Sequence, residues 1–215
     1  MLAELLQRAD IWRGRQTAPR AQRSTAPTGY GTLDTRLPGG GWPIGALTEI
    51  LYPQEGIGEL QLTLPTLARL SQGERWIAWI NPPLTPYAPA LAAHGVNLQR
   101  LLWVCTQRPE EGLWALEQAL RSGICAAVLS WPARCDDRTL RRLQLAAEHG
   151  QVLAFLYRPL ENARKASPAA LRLILQKTPE GGLAVNFVKC RGAWISDTLH
   201  LPRSVTGDAR PWNSR

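Results

Sequence analysis

A glycine-containing turn between Leu47 and Leu70 has the layout of a nucleotide site. The stretch LTEILYPQEGIGELQLTLPTLARL indicates an apolar strand, a turn with Gly56 and Gly58, and then a helix. In a phosphate-binding loop, a lysine follows the last glycine to reach the phosphates, and a Ser or Thr then holds magnesium. This sequence has Glu59 and Leu60 at those two positions. A carboxylate facing a triphosphate at about 4 Å would cost a few kcal/mol in a partly buried site, so we predict that no nucleotide binds.

The turn itself keeps a structural role in this interpretation. A tight reversal between a strand and a helix needs the freedom of Gly56 and Gly58. We interpret Glu59 as a glutamate of the first helical turn, where the helix dipole favours negative charge. Binding of some other group at the helix N-terminus stays an open alternative.

The remaining nucleophiles and metal ligands form no recognised pattern. The four cysteines have neither C-x-x-C spacing nor a nearby histidine, which argues against a metal site and against disulfides. We expect buried free thiols instead. The three histidines have no Ser, Cys or carboxylate partner at a catalytic spacing. The sequence therefore predicts no catalytic residue, no metal and no cofactor.

Charge and hydropathy narrow the class of protein. The chain has 215 residues and a formal net charge of +8, and its basic residues are mainly arginines. Arginine suits phosphate, carboxylate and aromatic faces, so nucleic acid or an acidic protein surface is a fitting partner, with a mere bias in composition as the alternative. No apolar run approaches the roughly 20 residues of a membrane span, and the N-terminal segment carries acids where a secretory signal is apolar. We expect a cytoplasmic protein that does not enter membranes.

The chain divides into four segments. Residues 1–13 place Leu2, Leu5, Leu6 and Trp12 at helical spacing, which predicts a short amphipathic helix. Residues 14–28 have the Pro, Ser, Thr and Arg content of a basic linker. Residues 29–195 form the predicted core, and residues 196–215 resemble a flexible tail. Such a helix must dock on its own core, on another copy of the chain or on a partner.

The core alternates strands and helices. Apolar runs at 46–51, 75–80, 100–105, 124–131 and 152–157 are separated by helical stretches at 57–72, 86–94, 109–122 and 136–149. Strands that are apolar on both faces indicate a mostly parallel sheet covered by helices on both sides. Residues 171–192 add two strands around a Glu-Gly-Gly turn, which predicts a C-terminal antiparallel hairpin. The predicted fold class is therefore α/β.

Residues of about 24 to 192 resemble the RecA ATPase core, a fold of the P-loop NTPase type. The resemblance rests on TGYGTLDTRLPGGGWPIGALTEI, on LTPYAPALAAHGVNLQRLLWV and on ALEQALRSGICAAVLSW, in that order and spacing. It implies degenerate Walker motifs, because Glu59 stands for the lysine and Ser130 with Trp131 for the metal-associated aspartate. Pro82 and Pro83 follow the second strand, where the RecA pattern has a water-activating glutamate. We therefore predict a non-enzyme.

Two degenerate relatives of RecA fit the chain. IWRGRQ at 11–16 and LDTRLPGGGWPIGALTEIL at 33–51 resemble the ImuA proteins of damage-induced translesion DNA synthesis. That resemblance implies an accessory role beside an ImuB-like Y-family protein and a DnaE-type polymerase, with DNA contact and self-association as further possibilities. The alternative is SulA, the SOS cell-division inhibitor that binds the tubulin-like FtsZ. We prefer ImuA at this stage because SulA is shorter and lacks a RecA-like leading segment.

The candidate contact residues fall in two groups. After the fifth strand, RPLENARKASPA corresponds to a mobile DNA-binding loop of the RecA pattern and is rich in cations. Near the N-terminus, an aromatic residue precedes two arginines, and tryptophans outside the periodic elements are candidate interface anchors. The predicted contact residues are Arg158, Arg164, Lys165, Trp12, Arg13 and Arg15, with Trp42 and Trp212 as further anchors.

Overall fold

The computed structural model describes residues 24–132 and 134–202. The predicted helix at 1–13, most of the predicted linker and the last part of the predicted tail lie outside these residues. The hypotheses on Trp12, Arg13, Arg15 and Trp212 therefore stay predictions. Within the described ranges, no helix is both long enough and apolar enough to cross a membrane.

Ten strands and five α-helices make up the described chain. The strands are β1 (Thr25–Ala26), β2 (Trp42–Pro43), β3 (Ala46–Tyr52), β4 (Trp76–Ile80), β5 (Leu101–Val104), β6 (Cys125–Ser130), β7 (Leu153–Pro159), β8 (Leu171–Lys177), β9 (Leu183–Cys190) and β10 (Leu199–Leu201). The helices are α1 (Gly31–Asp34), α2 (Leu64–Leu70), α3 (Ala88–Ala93), α4 (Pro109–Arg121) and α5 (Asp137–Gly150). Three 3-10 turns lie at Glu59–Leu62, Leu98–Arg100 and Leu160–Arg164.

Eight strands form one mixed sheet in the order β10-β9-β8-β3-β7-β6-β4-β5. Strands β3 to β8 are parallel wherever they are neighbours, and β9 runs antiparallel to both β8 and β10. The predicted α/β class, the mostly parallel sheet and the C-terminal antiparallel hairpin are confirmed. The helices predicted near 109–122 and 136–149 are confirmed as α4 and α5.

Two apolar layers cover the sheet. On the first face, Ile77 and Trp79 of β4 pack with Leu67 of α2 and Leu91 of α3. On the second face, the alternate residues of β4 pack with Leu116 of α4 and with side chains of α5. Side chains of a strand alternate between faces, so an uninterrupted apolar run such as WIAWI supplies both layers at once.

The end of the predicted linker belongs to the folded core. Thr25 and Ala26 pair with Pro43 and Trp42 in a small antiparallel ribbon. The backbone N–H of Thr28 donates to Asp34 Oδ1 at 2.8 Å, which fixes the chain at the start of α1. The core thus begins about five residues earlier than predicted, because a proline-containing stretch can still pair over two residues.

Trp42 is a correction to the predicted interface anchors. Its side chain is fully buried, and its indole Nε1 donates to Thr66 Oγ1 at 3.0 Å. Its ring meets that of Phe155 edge to face, with 5.3 Å between centroids. A tryptophan outside a long periodic element can therefore still be a core residue, since β2 tucks it under α2.

The first residues of the predicted tail belong to the sheet. Leu199 and Leu201 of β10 are buried and pair with Val185 and Leu183 of β9. The alternation of Leu199, His200 and Leu201 is the period of a half-buried strand. Three residues are short for a strand assignment from sequence alone, which is why the boundary was set at 196.

Candidate functional site

The turn after β3 has the predicted glycine geometry but a different helix. Gly56 and Gly58 adopt φ of 77° and 96°, which a residue with a Cβ rarely tolerates. A 3-10 turn over Glu59–Leu62 follows, and α2 begins only at Leu64. Pro65 lies in the first turn of α2, where its fixed φ and missing N–H are tolerated. The helix predicted over 57–72 is thus split in two.

The Glu59 side chain points toward the turn after β3, where we expected its negative charge to repel a phosphate. Its side chain is 8% exposed, and its Oε1 accepts a long hydrogen bond of 3.5 Å from the backbone N–H of Gly56. Glu59 is the first residue of the 3-10 turn, in agreement with the predicted glutamate of the first helical turn, and its carboxylate also points back toward its own loop. Leu60 packs against the apolar layer of the first face and offers no oxygen for a metal.

The potential around this loop is negative. Burial, followed by the negative charges of Glu55 and Glu59, raises the pKa of Tyr52 to about 12. Burial also raises the pKa of Tyr157, whose hydroxyl lies 2.8 Å from Thr63 Oγ1. The carboxylates of Glu55 and Glu59 would also repel a phosphate bound at this loop, because like charges repel.

Aromatic rings fill the ends of the neighbouring strands. The ring of Trp131, directly after β6, stacks on Tyr157 at 4.6 Å between centroids and an interplanar angle of 9°. Trp79 of β4 lies 6.0 Å from Trp131 in a tilted arrangement. Ser130 ends β6, and Asn81 and Pro82 follow β4. In a nucleotide-hydrolysing site of the RecA type, acidic residues would be needed at the ends of β4 and β6. This chain has Asn81, Pro82, Ser130 and Trp131 there.

Glu49, in the middle of β3, is a buried carboxylate held by two arginines. It is fully buried, its Oε1 accepts from Arg158 Nη1 at 2.6 Å, and its Oε2 accepts from Arg172 Nε at 2.5 Å. The three residues come from β3, β7 and β8, which are neighbours in the sheet. A buried carboxylate is tolerated only when it is paired, so these two arginines are structural.

Arg158 is therefore a correction to the predicted contact cluster. It was assigned to a surface loop, but β7 extends to Pro159 and the Arg158 side chain is 3% exposed. Its Nη2 donates to the carbonyl of Cys135 at 3.0 Å and to Asn162 Oδ1 at 3.2 Å. Glu49 and Arg172 were not among the residues predicted from the sequence. The available signal was an acid inside the apolar run ALTEILY, which calls for a buried cation.

Arg172 uses its remaining donors to shape the next loop. It donates to the carbonyls of Asn162 at 2.8 Å and Lys165 at 3.0 Å. The buried Arg172 guanidinium thus fixes the backbone of the loop between β7 and β8. Arg164 and Lys165 are exposed on the outside of this loop, and Lys165 Nζ donates to Asn162 Oδ1 at 3.2 Å.

A further cation lies beside this loop on β9. Lys189 Nζ donates to the carbonyl of Ser167 at 2.7 Å. Burial, and then the positive charges of Arg191 and Arg172, lower the pKa of Lys189. The loop therefore lies in a locally positive region, and the contact role of Arg164 and Lys165 stays a prediction.

An apolar surface lies at the β5 end of the sheet. Trp103 lies in an apolar strand but is 52% exposed, and β5 is the last strand of the sheet among the described residues. Leu84 and Tyr87, in the segment between β4 and α3, are also exposed. At the other end of the chain, Trp194 is 96% exposed in the segment between β9 and β10.

Comparison with known proteins gives a family. Residues 45–154 match the family model described as cell division inhibitor SulA. Similar proteins include the cell division inhibitor SulA of Yersinia pestis (strain Pestoides F) and that of Yersinia pseudotuberculosis serotype O:1b (strain IP 31758). Each is 29% identical over 123 residues, which cover 57% of this chain and 73% of the relative. The match spans β3 to the start of β7 and leaves the leading segment 24–44 and β8 to β10 outside.

The buried Glu49 yields a stability prediction. Replacing Glu49→Gln leaves Arg158 and Arg172 buried without a counter-charge, so we expect a loss of about 3 to 5 kcal/mol in the free energy of unfolding. Urea denaturation followed by circular dichroism measures it. The matched control is Asp197→Asn, which breaks the exposed ion pair with Arg36 and should cost less than about 1 kcal/mol. Equal effects of the two variants would contradict a structural role for Glu49.

Proposed function

The chain belongs to the SulA family, and we propose on that basis that it is a non-enzymatic inhibitor of cell division, which acts by binding a polymerising division protein of the tubulin-like FtsZ type. This was the alternative in the sequence analysis. The family match and the similar proteins support it better than the translesion interpretation that we preferred there. An inhibitor of this kind needs affinity and bulk, since an occupied subunit surface cannot accept the next subunit.

The observation that carries the proposal is the apolar surface at β5. Leu84, Tyr87 and Trp103 are large, exposed and all within the residues that match the family. Exposed aromatic residues are typical anchors of protein interfaces. Arg100, just before β5, lies with its guanidinium 5.6 Å from the ring centroid of Trp76, which adds a cation at the margin of this surface.

A substitution at β5 tests this surface. Replacing Trp103→Ala removes the central anchor, so we expect affinity for FtsZ from the same organism to fall at least about tenfold, with a matching loss of inhibition of its polymerisation. Calorimetry and light scattering measure the two effects. The control is Leu145→Ala on α5, a second exposed large apolar residue on the other face, which should leave both unchanged. Unaltered inhibition by the Trp103 variant would remove β5 from the interface.

The nucleotide prediction belongs with this proposal. Glu59 folds onto the loop and the local potential is negative, so we expect neither ATP binding nor magnesium-dependent hydrolysis. Calorimetry at micromolar to millimolar ATP checks the first and phosphate release the second. Micromolar binding that disappears when Gly58 is replaced would contradict it.

A second candidate function rests on the leading segment. Residues 24–44 lie outside the SulA match but fold into the core through β1, α1 and β2. Their sequence is the part that resembles ImuA, which supports an accessory role in translesion synthesis with an ImuB-like protein and a DnaE-type polymerase. The positive loop held by Arg172 offers a site for phosphates in that setting.

The loop between β7 and β8 tests the second candidate. If it contacts DNA, Arg164→Ala with Lys165→Ala should weaken DNA binding and reduce the slope of log affinity against log salt by about one to two. Fluorescence anisotropy at several salt concentrations measures this. The control pair Arg121→Ala with Arg142→Ala removes two exposed arginines that share Glu117 and should leave the slope unchanged. An unchanged slope in the loop variant would leave an acidic protein as its partner, to be sought by co-purification with the ImuB-like protein.

A further inference from the structure

A cleft of about 330 Å³ opens at the carboxyl ends of β4, β5 and β6. β4 and β6 are neighbours in the sheet, yet the chain leaves their ends in opposite directions. From β4 it crosses through α3 on the first face to β5, and from β6 it crosses through α5 on the second face to β7. Open α/β sheets bind ligands at such points of divergence, because the departing segments leave a crevice between them.

The walls of this cleft are held in a fixed geometry. Asn81 adopts a left-handed φ of 49° at the end of β4. Its Oδ1 accepts from the backbone N–H of Thr106 at 2.8 Å, and its Nδ2 donates to Thr106 Oγ1 at 2.9 Å. A Cβ on Gly112 would lie 2.3 Å from Asn81 Nδ2, so only glycine lets α4 approach so closely. The ends of β4 and β5 and the start of α4 are therefore one pre-organised unit.

A hydrogen-bond donor in the cleft lacks a partner. Ser130 is 3% exposed and lines the cleft, and its hydroxyl makes no hydrogen bond within the described ranges of the chain. The 13-residue helix α4 begins at the cleft, and the Arg108 side chain does not cap it. The start of α4 offers no free N–H to the cleft, because the lining residue Pro109 has none and the N–H of Gly112 donates to the carbonyl of Arg108 at 3.3 Å. The buried hydroxyl is the sign of a ligand, since a buried polar group is normally bonded.

The charge and shape of the cleft indicate the class of ligand. Among the described residues that line it, Arg134 is a cation and none is a carboxylate. Glu111, in the first turn of α4, pairs with Arg108 rather than lining the cleft. Pro82, Leu113 and Trp131 supply apolar walls. We propose that this cleft binds a small organic oxyanion, whose charged head meets Ser130 and Arg134 while its apolar body lies against Leu113.

Phenyl phosphate and benzoate are suitable probes of the full-length chain, with phenol as the neutral counterpart. We expect saturable binding of at least one anion by calorimetry and none of phenol. Bound anion should also slow the alkylation of Cys105, an exposed thiol that lines the cleft, as measured by peptide mass spectrometry. Burial raises the pKa of the Cys125 and Cys135 thiols to about 11, so these slow-reacting thiols serve as internal references.

Two variants assign the binding to this cleft. Ser130→Ala and Arg134→Gln should each lower the affinity for the anion at least about tenfold, which is the loss expected for one hydrogen bond to a charged group. The control Arg121→Gln, at the opposite end of α4, should change affinity by no more than about twofold.

Two results would overturn the proposal. One is the absence of saturable binding of either anion, and the other is an equal effect of Arg121→Gln and Arg134→Gln, which would mean diffuse attraction to a basic surface. If Ser130→Ala does not fold, two measurements still test the proposal. They are the protection of Cys105 by the anion in the unaltered chain and the affinity of the Arg134→Gln variant. The outcome is independent of partner binding at β5, so failure here leaves the division-inhibitor proposal standing.

Discussion

A single carboxylate in the middle of the sheet sets the arrangement of its central strands. Glu49 lies on β3 and bonds to one arginine from each neighbouring strand, β7 and β8. Removing a carboxylate from water is costly, so the fold is favoured only when both arginines arrive in register. The same arginines then bond to Asn162, and Arg172 reaches two further carbonyls of the loop above. The conformation of the loop between β7 and β8 thus depends on the buried Glu49 and on the two arginines that it holds.

The loop after β3 also contains a partly buried carboxylate, but its partner is a backbone N–H rather than an arginine. Its glycines create a reversal whose N–H groups could hold an anion, and the chain supplies that anion itself in Glu59. Trp131 and Tyr157 fill the adjoining space with stacked rings. Protein side chains thus fill both the loop after β3 and the space beside it. Large exposed apolar residues lie elsewhere, in and before β5.

The sequence was sufficient wherever the signal was local. Apolar runs of six to eight residues predicted most of the parallel strands, and the periodicity of α4 and α5 predicted two of the helices. It was insufficient wherever the partner was distant, as for Glu49, whose arginines lie 109 and 123 residues away along the chain. The exposure of Trp103 and the burial of Trp42 escape local sequence patterns for the same reason. An apolar strand pattern does not reveal which strand ends the sheet, and a two-residue strand leaves no periodicity to detect.

The two edge strands of the sheet, β5 and β10, are short. β5 has four residues and β10 has three, so each border presents only a few unpaired backbone groups to a neighbouring chain. Long, flat borders invite strands of other molecules to add on, and that leads to aggregation. Short edge strands therefore lower the tendency of this chain to template the growth of aggregates. They also mean that a partner at β5, as proposed above, would be recognised by side chains such as Trp103 rather than by backbone pairing, so its selectivity would depend on the identity of a few residues.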